Sequence, residues 1–295
     1  MKKGLILEGG AMRGMFTAGV IDVMMEEGIE FDGAIGVSAG AAFGCNYKSR
    51  QIGRVLRYNL RFCKDKRYSG LYSLRKDGNI YSASFAYGLV PLKYDPFDFE
   101  TYEANPMEFY VVCVDVETGE PVYHKYLGWD DHGFDWIRAS ASMPLVSEIV
   151  EINGQKLLDG GMADSVPIQY FESIGYDRNV IVLTQPYNYV KKKNKLVRVM
   201  RRKYRKYPKM VDTVARRHIV YNETLSYIKE KEARGEVLVI RPDAPLEIGK
   251  LCKDPKKIRE VYELGREVAT REMEKIKTFL KQEYTATANS DLRNL

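Results

Sequence analysis

The sequence predicts an α/β fold, built as one large domain or as a domain with an appended subdomain. Three observations point to it. Short apolar runs of strand length alternate with helical patterns along most of the 295 residues. Two glycine-rich strand-to-helix junctions stand within the first forty positions, where close packing of helix on sheet needs little side-chain bulk. The length allows a substantial core, and no apolar run approaches a membrane span.

Along the chain, "KGLILEGG" reads as a first strand, and "GMFTAGVIDVMMEEG" as a helix closed by Gly28. "FDGAIGV" is a second, buried strand, and "SAGAAFGCNYKSRQIGRVL" continues as one helix. Residues 64–106, rich in tyrosine and interrupted by Pro91, Pro96 and Pro106, read as loops and short helices forming a lid or binding wall. "EFYVVCVDVETGEPVYHKYL" is an antiparallel pair turning at Thr118-Gly119, and "EIVEINGQKLLDGG" a hairpin turning at Asn153-Gly154. "FDWIRASASMPLV" between them is a short helix ending near Pro144.

"NVIVLTQP" and "EVLVIRPD" supply two further strands, separated by a basic block and a helix over 208–234 that Gly235 closes. Asp254 and Pro255 open a last amphipathic helix with Ile258, Val261, Val268, Ile276 and Phe279 on its core side. From Thr285 onward the chain is polar and expected to fray.

The formal charge of +6 is modest, but residues 191–209, "KKKNKLVRVMRRKYRKYPK", contain no acid. Such a block is either a solvated face or a peripheral contact with an anionic membrane surface. Nothing else matches a nucleic-acid module, so no nucleic acid is expected. The basic start is broken at Glu8, too early for a signal-peptide core. Cys45, Cys63, Cys113 and Cys252 lack C-x-x-C spacing, so they read as core thiols in a reducing cytoplasm, without disulfides or zinc.

The chemistry centres on Gly36-Val37-Ser38-Ala39-Gly40. Between strand and helix, G-x-S-x-G strains the serine and thrusts its hydroxyl out at the helix N-terminus, where exposed N–H groups and the helix dipole favour negative charge. A serine hydroxyl needs a base. His124 lies in an alternating strand and His218 follows two arginines, and both read as structural. One β-α unit before Ser38 is also too few for an α/β-hydrolase. The remaining candidate is Asp159, which ends an apolar strand and precedes Gly160 and Gly161. Burial beside a hydroxyl would strengthen it as a base.

A third element is "LEGGAMRG", where Gly9 and Gly10 free the backbone to aim N–H groups at a reacting carbonyl. Each such donor is typically worth about 3 to 4 kcal/mol in the barrier. Arg13 could hold a phosphate or order the loop. A dinucleotide-binding turn fits poorly, because Ala11 replaces the middle glycine and "GVSAG" stands where a ribose-binding acid belongs.

Taken in order, Gly9-Gly10-x-x-Arg13-Gly14, Gly36-x-Ser38-x-Gly40 and Asp159-Gly160-Gly161 resemble the patatin-like phospholipase family, as does "ASASMP" at residues 139–144. The likeness covers residues 4 to about 172. It implies a three-layer α/β/α sandwich around a central, mostly parallel sheet, with C-terminal helical additions. Residues 4–172 would form the catalytic core, and 173–295 the remaining strands and a helical region with the basic segment.

The resemblance further implies a Ser-Asp dyad, Ser38 as nucleophile and Asp159 as base, with Gly9, Gly10 and Ala11 as the oxyanion hole. Ala11 departs from the commoner glycine, and a positive φ there would be strained. The expected activity is hydrolysis of fatty acyl esters of lipids through an acyl-serine, without metal or cofactor. The motifs leave the acyl acceptor open, so an acyltransferase is the alternative enzyme. A non-catalytic lipid- or partner-binding protein on the same scaffold is the alternative of another class. Head group, chain length and oligomeric state are not encoded in these motifs.

Overall fold

A computed structural model describes residues 1–281, so the tail expected to fray from Thr285 onward lies outside the described residues. One sheet organises the fold. Its strands are β1 (Lys2–Leu7), β2 (Gly33–Val37), β3 (Glu108–Asp115), β4 (Pro121–Lys125), β5 (Val150–Ile152), β6 (Gln155–Asp159), β7 (Tyr176–Val182) and β8 (Val237–Ile240). They lie in the order β5-β6-β3-β2-β1-β7-β8, with β4 paired to β3. The β1, β2, β3, β7 and β8 pairings are parallel, while β4, β5 and β6 join antiparallel.

The helices are α1 (Gly14–Glu26), α2 (Ala39–Lys48), α3 (Arg54–Phe62), α4 (Leu71–Asp77), α5 (Phe99–Ala104), α6 (Asp135–Ser140), α7 (Ile168–Ser173), α8 (Val197–Lys203), α9 (Pro208–Ala233) and α10 (Pro255–Lys281). A π-helical segment covers Phe85–Tyr94.

Strand periodicity separates the two faces of the sheet. Leu5 and Leu7 of β1, with Val180 and Val182 of β7, join the core formed with α1, α2, α3 and α10. Ile6 and Ile181, one residue out of phase, join the opposite core with Phe171 of α7 and with Tyr221, Leu225 and Ile228 of α9. The result is a sheet with helices on both faces. Helix α10 seals the first face, and all five of its expected core residues are buried. It closes tightly on α1, where a Cβ at Gly265 would stand 2.1 Å from the Phe16 carbonyl oxygen.

The helix expected to run unbroken from Ser38 is two helices. After Lys48 the chain turns through Arg50 (φ 53°) and Gly53 (φ 73°) before α3 begins. Buried polar anchors outweigh helix continuation here. The Gly53 N–H donates to Asp22, and the Arg54 guanidinium reaches the Asp95 carbonyl and Asn46. The basic block also departs from an open charged segment. It forms α8, whose Met200 is buried together with Tyr204 in a third core cluster, while most of its cationic side chains stay exposed.

Candidate active site

Ser38 stands in the turn from β2 into α2 with φ 56° and ψ −121°. This positive-φ backbone is strained by roughly 1–3 kcal/mol and persists only if its surroundings fix it. They do. The Ser38 N–H donates to Ser140 Oγ at 2.8 Å, and that hydroxyl donates to the Val112 carbonyl at 2.6 Å. Crowding accounts for the flanking glycines: a Cβ at Gly36 would stand 2.5 Å from the Gly40 carbonyl oxygen, and one at Gly40 2.2 Å from that of Leu7.

Sheet register brings the acid to the serine. Val37 pairs with Val112 on β3, and the next residue of β3, Cys113, pairs with Asp159 at the end of β6. Ser38 and Asp159 therefore sit at one level, two strand spacings apart, or about 10 Å of backbone that two side chains can bridge. The Asp159 N–H donates to the Ser142 carbonyl at 2.9 Å, so residues 139–144 hold both partners.

Asp159 is buried, and burial raises its carboxyl above the ordinary value of 3.8. Four groups oppose that rise: the Arg217 guanidinium first, then the Gly161 N–H at 2.8 Å, the nearby Ser38 hydroxyl, and Lys250. The outcome is a carboxylate more basic than an exposed one, yet held ready to accept a proton.

The loop after β1 lies against Ser38, since a Cβ at Gly9 would come within 2.8 Å of the Ser38 Cβ. Among the described residues, the N–H groups of Gly9, Gly10 and Ala11 have no hydrogen-bond acceptor. Ala11 has φ 51°, the strained conformation its replacement of glycine made a concern. Gly14 and Arg13 follow, and a Cβ at Gly14 would meet Ala39 and Phe43 of α2 at 2.9 Å. Gly160 abuts β3, where a Cβ would stand 2.2 Å from the Val112 carbonyl oxygen.

Beside Ser38 opens a mainly apolar pocket of about 780 Å³ of atom-free space, part of it open to solvent. Ala11, Ala42 and Phe43 line it together with Tyr58, Tyr87, Val90 and Pro91. The tyrosine-rich segment between α3 and β3 thus supplies part of the lining. None of the three histidines hydrogen-bonds to Ser38 or Asp159. His124 pairs with Asp131 at 2.6 Å and stacks on Trp136, His132 meets Asn153, and His218 Nδ1 is buried without a partner among the described residues. Nor do three His, Cys, Asp or Glu side chains there converge as a metal-binding set.

Sequence reasoning passed over Arg217, Lys191 and the bridging role of Ser140 and Ser142. A signal for Arg217 existed. Val214, Tyr221, Leu225 and Ile228 are buried at helical spacing, and Arg217 falls on the same inward face.

A family profile for patatin-like phospholipases matches residues 5–172, more than half the chain. The chain belongs to the patatin-like phospholipase family. A second profile, a domain of unknown function (DUF6363), matches residues 207–281. Relatives include the uncharacterized protein YjjU of Escherichia coli K12, 27% identical over 277 residues, covering 89% of this chain and 74% of that protein. Lysophospholipase nte1 of Aspergillus terreus is 29% identical over 185 residues, and NTE1 of Chaetomium globosum 28% over 178. Each fungal match covers 59% of this chain but 11% of the fungal protein. The patatin region does not supply every group at the site, because Arg217 and Lys250 come from the DUF6363 segment.

Proposed function

We propose that this patatin-like protein is a serine acyl hydrolase that cleaves fatty acyl esters of lipids, with Ser38 as nucleophile and Asp159 as its base. The observation that carries the reading is Ser38, strained in its turn and lining an apolar pocket, set by sheet register beside the buried, proton-avid carboxylate of Asp159. The lysophospholipase relatives support a lipid ester as substrate.

In the acylation step Asp159 takes the Ser38 proton as Oγ attacks the ester carbonyl. The oxyanion rests on the free N–H groups of Gly9, Gly10 and Ala11 and on the N-terminal turn of α2. Collapse expels the leaving alcohol, which recovers the proton from Asp159, and leaves an acyl-serine whose chain lies in the apolar pocket. Asp159 then deprotonates a water that attacks the acyl-serine, and the fatty acid departs as Ser38 regains its proton. Among the described residues no helix is long and apolar enough to cross a membrane. Residues 191–209, with Lys192, Lys193, Arg198, Arg202 and Arg205 exposed beside Leu196 and Val199, form the surface for contact with anionic lipid.

A fluorophosphonate probe followed by a lipid-ester panel tests the reading. Labelling of Ser38 and Ser38-dependent release of fatty acid support it. Folded protein that neither labels nor hydrolyses any ester contradicts it.

A further inference from the structure

Resting on that reading, we infer that Arg13, Lys191, Arg217 and Lys250 form an anion subsite beside Ser38 and Asp159 that receives a phosphate on the leaving-alcohol side of the substrate. The four cations come from four separate places: the turn after the Gly9–Gly10 loop, the chain after β7, α9, and the loop after β8. Geometry places Arg13, Lys191 and Arg217 about the oxyanion loop and Asp159, and Lys250 is near enough to act on the charges of Asp159 and Lys191. A Cβ at Gly161 would stand 3.0 Å from Asp159 Oδ1 and 3.2 Å from Arg217 Nη2, so arginine and catalytic carboxylate flank the same point. A Cβ at Gly10 would meet Thr184 Oγ1 at 2.8 Å and Arg13 Nη2 at 3.3 Å, so the Arg13 guanidinium folds back over the oxyanion loop. Lys191 Nζ lies 4.1 Å over the ring of Tyr221, one helical turn beyond Arg217.

The nearby acids, Glu8 and Asp159, do not balance these charges. Glu8 is committed, its Oε1 accepting from Tyr221 and its Oε2 from the Thr184 N–H and hydroxyl. Asp159 accepts the Gly161 N–H and offsets part of the Arg217 charge, which leaves two acids against four cations. No ion pair is made by Arg13, Lys191, Arg217 or Lys250 among the described residues. Arg217 donates only to Ser165 Oγ, at 3.3 and 3.4 Å, and Arg13 Nε is buried with no acceptor. Lys191 feels Arg217, Arg13 and Lys250 as like charges and Glu8 as its counterweight. Arg13, Lys191 and Arg217 are partly buried without an ion-pair partner, which is unfavourable unless an anion completes them. Guanidinium groups match a phosphate with paired hydrogen bonds, and a lysine adds a point charge. Phosphate bound there lies beside the dyad and outside the apolar pocket for the acyl chain, whose lining includes none of the four cations.

Calorimetry tests this without turnover. The probes are a short-chain alkyl ether of glycerol monophosphate, which has no ester to cleave, the same ether of unphosphorylated glycerol, and inorganic phosphate. The phosphorylated ether should bind the native protein about tenfold or more tighter than the neutral one, the scale of one charge-assisted contact. That margin should shrink in Lys191→Gln, in Arg217→Gln and in the exposed-site variant Lys250→Gln, and should fall as salt rises. Equal affinity for the two ethers overturns the subsite, even where Ser38 labels and the hydrolase reading stands. Inorganic phosphate binding as tightly as the phosphorylated ether also overturns it, in favour of a free-anion site. A retained margin in protein whose Ser38 fails to label upholds the subsite and rejects the hydrolase.

Discussion

The backbone N–H of Ser38 donates to the side-chain oxygen of Ser140, 102 residues downstream, at 2.8 Å. One hydroxyl thereby satisfies the strained turn and, through its own bond to Val112, ties that turn to β3. Ser140→Ala strips a partner from both groups inside a closed core. Leaving a buried donor or acceptor unmade costs about 1–3 kcal/mol, so urea unfolding should shift by about that much, with a lower kcat at nearly constant KM. Unchanged stability would mean that the turn does not depend on this contact.

Ser38→Ala should abolish ester hydrolysis and probe labelling. Asp159→Asn keeps shape but removes the base, and kcat should fall by about 10³-fold or more, within the range of general-base effects extended by loss of the nucleophile's activation. His218→Ala, changing a side chain that bonds to neither, should hydrolyse at a rate close to the parent. Initial-rate kinetics on one acyl ester compare the three.

The raised carboxyl of Asp159 sets a sign for stability as well as activity. Activity should climb with pH as Asp159 ionises, with its midpoint above the ordinary 3.8. A carboxyl raised in the folded state binds its proton more tightly there than in the unfolded chain. Its contribution to stability is therefore greatest below the unfolded value and declines as pH rises through the folded one. Asp159→Asn should accordingly be nearly inactive yet more resistant to urea than the parent at neutral pH, with the gap closing in acid. A less stable variant at neutral pH would show that Arg217 and the Gly161 N–H outweigh burial.

Lys191 titrates near the working range. Burial, then Arg217, with Glu8 opposing and Arg13 and Lys250 adding, bring its ammonium down to about 8, while Tyr189 and Tyr221 offer it their rings. Any preference for a phosphorylated ether should weaken as pH passes about 8. Calorimetry at three pH values on either side reads this directly.

Gly265→Ala pits two effects against each other. Alanine favours an exposed helix interior by about 1 kcal/mol, but here the new Cβ would stand 2.1 Å from the Phe16 carbonyl oxygen. Backbone cannot yield as a side chain can, so overpacking of about 1–3 kcal/mol or more should win, and thermal unfolding should occur earlier.

The strands, the hairpin at Asn153-Gly154 and the last helix were legible because each rests on local signals: period-two burial, an αL turn pair, and a 3.6-residue apolar stripe. Ser38 and Asp159 were legible as a pair because their glycines reflect backbone crowding that leaves a mark in sequence. The break between α2 and α3 was not, since it depends on Arg54 finding Asp95 41 residues away. Arg217 and Lys191 were hidden for a similar reason. A basic residue on a long helix or in a cationic run carries no local sign that the fold turns it toward a buried carboxylate or a tyrosine ring.

The most direct measurement is intact-mass and peptide-level detection of a fluorophosphonate adduct on native protein, Ser38→Ala, Asp159→Asn and His218→Ala. A dyad predicts one adduct at Ser38 in the parent and in His218→Ala, none in Ser38→Ala, and strongly slowed formation in Asp159→Asn. Rapid labelling of Asp159→Asn, or its loss in folded His218→Ala, would contradict direct activation of the serine by the aspartate.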